Sequence, residues 1–181
     1  SYAEELELFK NKISLGANES LVKIKVLSSF TCPHCANFHF KVIPQIKSEY
    51  VDTGKVQLIF VDFPLDQAAF NASKLLHCVK KNKQIIFMDS IYQNQEEWTN
   101  GSNIESINKN LKNIVKDLGI SSDQFDSCLI NEEISDKILN GRINANKKYS
   151  IDSTPTIIIN EKKFKGPVNF KNIKKEIEKN I

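Results

Sequence analysis

The tetrapeptide Cys32-Pro33-His34-Cys35 places two thiols where the sequence pattern changes from strand to helix. An apolar, β-rich run from Val22 to Leu27 precedes it, and residues 36–50 predict a helix after it. The thiols therefore lie at the N-terminus of a helix, where unpaired backbone N–H groups and the positive end of the helix dipole favour a thiolate over a thiol. A thiol in such a position is expected to perform redox chemistry rather than simple packing.

The spacing of the two cysteines suits thiol–disulfide exchange, which needs a thiolate attacker and an exposed sulfur to attack. We expect Cys32 to be the exposed sulfur, because it lies at or just outside the first helical turn, and Cys35 to face inward. Two intervening residues let both sulfurs meet within disulfide distance. Pro33 suits the first helical position, where its missing N–H costs nothing, and a protonated His34 would add positive charge near Cys32.

Zinc binding is the alternative for a Cys-x-x-Cys pair. The chain has no second Cys-x-x-Cys, and its three histidines lack the paired spacing of zinc fingers (His34, His39 and His77). Cys78 and Cys128 could still complete a four-sulfur site, so zinc stays open at this point. Haem attachment needs a histidine at position 36, and Ala36 excludes that motif. His39 itself is expected to be an ordinary histidine on a helix face.

The elements that position the two thiols are predicted by hydrophobic patterning. The run from Val22 to Leu27 alternates apolar residues with lysines, which predicts a strand with one exposed face. Residues 56–61 are nearly all β-branched or aromatic, which predicts a strand buried on both faces and ended by Pro64. Pro44 should kink the helix over residues 36–50, because its ring removes a hydrogen bond.

A long helical region is predicted after Pro64. Cys78 shares an apolar helix face with Leu75 and Val79. A further helix, which Gly119 should end, carries a clear apolar stripe. The residues of this stripe are Ile104, Ile107, Leu111, Ile114 and Leu118. Ser121 and Gln124 form a capping-box pattern for the next helix, whose buried face would consist of Phe125, Cys128 and Leu129.

The last third of the chain returns to β structure. Residues 132–149 predict a helix, residues 156–159 predict a strand, and Phe164 could lie on a partner strand after a tight turn. A final helix would bury one face, made of Phe170, Ile173, Ile177 and Ile181. Residues 3–10 could form a short helix at the start. The order β, α, β, several helices, β, β, α predicts a mixed sheet of the α/β class.

Composition excludes some classes of function. A net charge of +3 is too small to indicate nucleic-acid binding, the lysine clusters lack interleaved aromatic residues, and Arg142 is the only arginine. No apolar run reaches the length that spans a bilayer. The chain begins with Ser1 and Tyr2, which fits a mature form whose leader has been removed.

The element order, with Cys-x-x-Cys at the start of the first helix after a strand, resembles thioredoxin. Residues 14–18 and 28–35 look like the opening of the bacterial DsbA-type thiol oxidases. Residues 62–65 (Asp-Phe-Pro-Leu) resemble the segment that leads into that family's helical insertion, and residues 153–160 (Ser-Thr-Pro-Thr-Ile-Ile-Ile-Asn) are similar to its cis-proline strand. The likeness extends from about Leu15 to the C-terminus.

This resemblance implies a thioredoxin fold with a mixed central sheet, formed by residues 1–63 and 150–181, and an inserted helical domain over residues 64–149. Two positions depart from the family pattern. Val26 stands where family members often carry a buried acid, and Glu161 stands in a hairpin where glycine is usual. Val26 therefore removes the support for an acid-assisted proton path to Cys35, and Glu161 leaves the turn type open.

The resemblance also assigns roles to the site residues. It implies that Cys32 and Cys35 form the redox pair, and that Pro33 and His34 tune it. A cis bond between Thr154 and Pro155, beside the sulfurs, would offer the Thr154 backbone to an extended peptide by strand addition.

The second pair of cysteines has two interpretations. Some DsbA-like proteins carry a second bridge in the inserted region, so the resemblance favours a structural disulfide between Cys78 and Cys128. Such a bridge would close a loop of 50 residues and contribute roughly 4 kcal/mol of stability on the chain-entropy account. The alternative is two reduced, buried thiols.

The resemblance implies a periplasmic oxidase that donates its disulfide to cysteine-containing exported proteins while they fold. It also implies a DsbB-like membrane partner, which reoxidises this oxidase. A disulfide isomerase or reductase on the same scaffold is the second hypothesis, and a non-redox module that binds peptides or zinc is the third. We expect a monomer with no cofactor, no metal and no nucleic-acid partner. A membrane-tethered, extracytoplasmic form is the alternative location.

Overall fold

The computed structural model describes residues 12–181, so the helix predicted over residues 3–10 lies outside the described residues. The described chain divides into two compact units. One comprises residues 12–27, Phe40–Val61 and Thr156–Ile181, and the other comprises Ser28–His39 and Asp62–Pro155. The domain boundaries given by the sequence remain a prediction.

A five-stranded mixed sheet forms the centre of the first unit. Its strands are β1 (Ile13–Leu15), β2 (Val22–Ser28), β3 (Val56–Asp62), β4 (Thr156–Ile159) and β5 (Lys162–Lys163). They lie in the order β1-β3-β2-β4-β5, with β4 antiparallel to both of its neighbours. This confirms the α/β class and the thioredoxin fold. The short strand β1, antiparallel to β3, was not predicted from the sequence.

The two central strands differ in how well their burial was predicted. In β2 the apolar residues are buried and the two lysines are half-buried, as the alternation predicts. In β3 only Val56–Leu58 are buried, while the remaining residues are half-buried. The prediction of burial on both faces along this strand was therefore wrong for its second half, because an apolar run does not reveal which elements cover the two faces of a strand.

Residues 12–181 contain nine α-helices, in addition to two short helical turns. They are α1 (Pro33–Lys41), α2 (Ile43–Ile46), α3 (Gln67–Leu76), α4 (Gln84–Gln93), α5 (Gln95–Thr99), α6 (Ile104–Lys116), α7 (Ser122–Leu129), α8 (Glu132–Tyr149) and α9 (Phe170–Glu178). A π-helical turn, Lys47–Val51, follows α2, and a 3₁₀ turn, Lys81–Lys83, precedes α4. None of these helices combines the length and the apolar character that a membrane span requires.

Pro44 interrupts the first helical stretch, as predicted. The chain leaves α1 at Lys41 and starts α2 at Ile43, with Pro44 in the first turn of α2, where no N–H is needed. The last helix, α9, buries Ile173 and Ile177. Ile181 lies beyond the end of α9 and is exposed, so its predicted place on the buried face was wrong.

The second unit is helical around a core centred on α3. This helix contacts α4, α6, α7 and α8, and its residues Ala69, Ala72 and Leu75 are fully buried. The predicted capping box of α7 is present, with reciprocal hydrogen bonds between Ser121 and Gln124. In α5, the fully buried Trp98 donates its indole N–H to the Ile91 carbonyl at 2.9 Å.

The hairpin between β4 and β5 shows how the chain accommodates Glu161. Asn160 and Glu161 both adopt left-handed backbone conformations, with φ of 45° and 69°, which is the pattern of a type I′ turn. The second strand ends at Lys163. Phe164 lies one residue beyond it, yet its N–H still donates to the Ile157 carbonyl at 2.8 Å.

Candidate functional site

The two central cysteines lie at the first turn of α1. Cys32 immediately precedes the helix, and its carbonyl accepts the N–H groups of Cys35 at 3.1 Å and Ala36 at 3.2 Å. The Cys35 N–H also lies 3.2 Å from the Cys32 Sγ, to which it donates. Pro33 occupies the first helical position. The start of the helix therefore directs a backbone donor at the outer sulfur, as its N-terminal position predicts.

Both thiols are largely buried, although Cys32 was predicted to be exposed. Cys32 keeps 9% of its surface exposed and Cys35 keeps 1%, so Cys32 is the outer sulfur but is far less exposed than expected. The Thr154 carbonyl covers part of this residue, since it lies 3.6 Å from the Cys32 Sγ and accepts the S–H of the protonated thiol. Pro33 and His34 are exposed beside it.

The pKa values of the two thiols are driven apart. A hydrogen bond from the Cys35 thiol is the largest cause that lowers the pKa of Cys32, from an ordinary 9.0 to about 5. Burial opposes this change, and further hydrogen bonds from the Thr154 side chain and from backbone N–H groups support it. The pKa of Cys35 is raised well above its ordinary value, first by its hydrogen bond to Cys32 and then by burial. At neutral pH the reduced pair is therefore an outer thiolate beside an inner thiol.

Thr154 and Pro155 are the distant part of the sequence that reaches this pair. The peptide bond between them is cis, and both residues are half-buried. The structure thus brings Thr154 to the Cys32 sulfur. The contribution of His34 to the Cys32 pKa comes from its backbone N–H, whereas the sequence had suggested an effect of its imidazole.

Three side chains that hold the loop before Cys32 were not predicted from the sequence. The Ser29 hydroxyl accepts the Leu65 N–H at 3.2 Å, and the Thr31 hydroxyl donates to an Asp66 carboxylate oxygen at 2.8 Å. Asp66 also caps α3 by accepting the Ala69 N–H at 2.8 Å. The position of Asp66 before a helix is a readable capping signal. Its bond to Thr31 leaves no trace in the sequence.

A fourth missed side chain, Gln95, reaches the same loop from α5. Its amide nitrogen donates to the Phe30 carbonyl at 2.8 Å and to the Cys32 carbonyl at 3.0 Å. The Phe30 ring packs against Tyr92 and Phe87, with centroid distances of 5.0 Å and 6.4 Å. The helical insertion therefore contacts both the backbone and the side chain of the segment that carries Cys32.

His39 lies one turn after Cys35 on α1 and is buried. Its Nε2 lies 2.6 Å from an Asp89 carboxylate oxygen, and its ring packs on Tyr92 at a centroid distance of 4.8 Å. Burial is the largest cause that raises the pKa of Tyr92 well above its ordinary value, and the nearby Cys35 adds to it. His39 is thus a partnered histidine in a packed environment rather than a solvent-facing one.

Cys78 and Cys128 form a disulfide, with an S–S distance of 2.02 Å and a Cα–Cα distance of 6.3 Å. This confirms the second bridge. Cys78 lies in the turn just after α3 rather than on its helical face, so the predicted helix position was wrong, because α3 ends at Leu76. The bond also removes both sulfurs from the four-sulfur zinc site that the sequence left open. Within residues 12–181, no group of three or more His, Cys, Asp or Glu side chains is arranged to hold a metal ion.

The depressed pKa of Cys32 predicts how stability depends on pH. Between about pH 5 and pH 9, the unfolded reduced chain carries a proton on Cys32 that the folded chain has lost. The free energy of unfolding of the reduced form should therefore rise with pH across this window, relative to the oxidised form, and this contribution should disappear as the pH falls through 5. Urea unfolding of both forms at several pH values measures the difference. A difference that stays constant from pH 5 to pH 9 would contradict the assigned pKa.

Comparisons with known proteins agree with this geometry. The family model described as Thioredoxin matches residues 9–179. A probable disulfide bond formation protein D from Bacillus anthracis is 31% identical over 183 residues, which cover 98% of this chain and 82% of that protein. The crystal structure of Wolbachia pipientis alpha-DsbA1 superposes with a TM-score of 0.82 at 30% identity, covering 94% of this chain and 90% of that one. A protein-disulfide isomerase from Novosphingobium aromaticivorans shares the fold, with a TM-score of 0.85 at 19% identity, covering 93% of this chain and 96% of that one.

Proposed function

Since the chain belongs to the thioredoxin family and, within it, to the DsbA-like thiol:disulfide oxidoreductases, we propose that it is an oxidase that donates a Cys32–Cys35 disulfide to exported proteins as they fold. One observation carries the choice of oxidase. The outer thiolate is stabilised, with a pKa of about 5, and stabilisation of the reduced form makes the disulfide a stronger oxidant. A low-pKa sulfur is also the better leaving group when substrate is released.

The proposed reaction has two exchange steps. A substrate thiolate attacks the Cys32 sulfur, a new bond forms between these two sulfurs, and the Cys32–Cys35 bond breaks. Cys35 leaves as a thiolate and takes up a proton, because its raised pKa favours the thiol. A second substrate thiolate then attacks the first substrate sulfur, and Cys32 leaves as a thiolate. Two electrons pass from the substrate to the enzyme, and the substrate gains one disulfide.

We assign substrate binding to the Thr154–Pro155 segment. The Thr154 carbonyl approaches the Cys32 sulfur, so an extended peptide paired with the backbone of this residue would bring its own cysteine to the same place. The Thr154 side chain also contributes to the lowered pKa of Cys32. Thr154 would therefore act on both the peptide and the thiolate.

The reduced enzyme must pass its two electrons to an acceptor before the next cycle. We assign this step to a DsbB-like membrane protein whose disulfide is exchanged with the Cys32–Cys35 dithiol. The site of action would be the periplasm or an equivalent extracytoplasmic space, where disulfides persist. The disulfide between Cys78 and Cys128 supports an oxidising location.

Two refolding assays separate an oxidase from an isomerase. The oxidised protein should rapidly convert a reduced, unfolded test protein to its disulfide form, with one substrate disulfide made for each enzyme disulfide consumed. The reduced protein should be much slower at rescuing the same test protein when its disulfides are scrambled. Faster rescue of the scrambled form than oxidation of the reduced form would instead assign an isomerase, and failure in both assays would contradict redox catalysis.

A further inference from the structure

The side chain of Gln95 makes an unusual pair of contacts with the active-site loop. It is the first residue of α5 and is only 8% exposed. Its amide nitrogen donates to the Phe30 carbonyl at 2.8 Å and to the Cys32 carbonyl at 3.0 Å. A glutamine amide carries two N–H donors, so both are used on the loop that ends in the reactive sulfur.

The Cys32 carbonyl is also the point where α1 begins. It accepts the N–H groups of Cys35 and Ala36, which start the helical hydrogen-bond pattern. The same Cys35 N–H lies 3.2 Å from the Cys32 sulfur. The orientation of the Cys32 carbonyl therefore determines whether this N–H can also reach the sulfur, and Gln95 is a third donor to that carbonyl.

Packing alone does not account for a polar side chain at this position. Aromatic packing already fixes the position of the loop before Cys32, because the Phe30 ring packs against Tyr92 and Phe87. An apolar side chain of the same length, such as methionine, would fill the space without the cost of burying an amide. What the amide adds is a fixed orientation of the Phe30 and Cys32 carbonyls.

We infer that Gln95 is a positioning residue for the reaction at Cys32, because its amide holds the two carbonyls of the active-site loop so that the Cys35 N–H stays directed at the Cys32 sulfur. The inference rests on the proposed exchange at Cys32, but it holds for an oxidase and an isomerase alike. It also gives the inserted helices a direct role in the chemistry, through one side chain of α5.

Replacing Gln95 with methionine tests the inference. Gln95→Met keeps the length of the side chain and removes both donors. The ionisation of Cys32 is followed by the ultraviolet absorbance of its thiolate against pH. The midpoint should rise by about one pH unit, which is a tenfold change in the ionisation constant, because the Cys35 N–H would no longer be held toward the Cys32 sulfur. The equilibrium constant with glutathione should shift toward the protein disulfide by up to about tenfold. Gln93→Met is the matched control, since Gln93 is exposed two positions away, and it should leave both quantities unchanged.

The outcomes separate positioning from a merely structural role. A loss of stability with an unchanged midpoint in Gln95→Met would overturn the inference while leaving the proposed function intact. If the unsubstituted protein itself shows the midpoint of an ordinary thiol, the proposed function fails instead. The unsubstituted protein offers a measurement that does not depend on a folded variant, the chemical shift of the Gln95 side-chain amide protons. These signals should follow the ionisation of Cys32, and their constancy through that midpoint would count against the inference.

Discussion

Cys32→Ser is expected to lower the rate at which the protein oxidises a reduced substrate by more than about a thousandfold. The hydroxyl of serine cannot form the disulfide that the reaction transfers, and no other described cysteine can replace it, because Cys35 is 1% exposed and the remaining two are bonded to each other. The measurement is the rate of disulfide formation in a reduced, unfolded test protein, with the variant first treated with an oxidant in the same way as the unsubstituted protein.

Cys35→Ser is the matched control for this prediction. It also removes the transferable disulfide, but it keeps the outer thiol, which oxidised glutathione can convert to a glutathione disulfide. A thiolate of a test peptide with one cysteine should then attack the Cys32 sulfur and release glutathione as a thiolate, and no internal thiol can resolve the mixed disulfide that forms. Mass spectrometry should find this adduct in Cys35→Ser and should not find it in Cys32→Ser. Substantial oxidase activity in Cys32→Ser, or a substrate adduct on Cys35, would reverse the assignment of the two sulfurs.

The double substitution Cys78→Ala with Cys128→Ala is expected to have the largest effect on stability. The bridge closes a loop with a sequence separation of 50 residues, and its loss should reduce the free energy of unfolding by about 4 kcal/mol, mainly because the unfolded chain gains conformational freedom. Urea unfolding of the oxidised protein and of the variant measures the difference. A reduction below about 1 kcal/mol would show that the bridge does little to limit the unfolded chain.

This substitution also tests whether the second bridge influences the reactive pair. In the structure, Cys32 takes its hydrogen bonds from Cys35, Thr154 and His34. The Cys32 midpoint should therefore stay at about 5 in the double variant at temperatures where it remains folded. A large shift of that midpoint would indicate coupling between the two disulfides that the contacts do not account for.

Local patterns predicted most of the elements. The alternation of β2, the capping box of α7 and the bounds of α8 depend on residues close in sequence, so propensity and side-chain periodicity are enough to identify them. The position of the Cys-x-x-Cys pair at the start of α1 was predictable for the same reason, because a strand, two spaced thiols and a helix start lie within a few residues. The bond between Cys78 and Cys128 needed more, and the family resemblance supplied it.

Features that depend on distant contacts were missed. Gln95 lies 63 residues after Cys32, and a glutamine at a helix start carries no signal of where its amide will bind. The contact between Cys32 and the Thr154 carbonyl joins residues 122 positions apart, and only the family resemblance placed Thr154 beside the sulfurs. The error over β3 has the same origin, since the burial of a strand depends on which distant elements pack against its two faces.

Trp98 supplies a natural fluorescent probe on the helix that contacts the reactive loop. It is the sole tryptophan of the chain, it is fully buried, and it lies one turn after Gln95 on α5. Its fluorescence therefore comes from a single indole within one helical turn of the side chain that touches the reactive loop. We expect this natural emission to change when Cys32 and Cys35 are oxidised, and stopped-flow fluorimetry would check this without attaching a dye or altering a thiol.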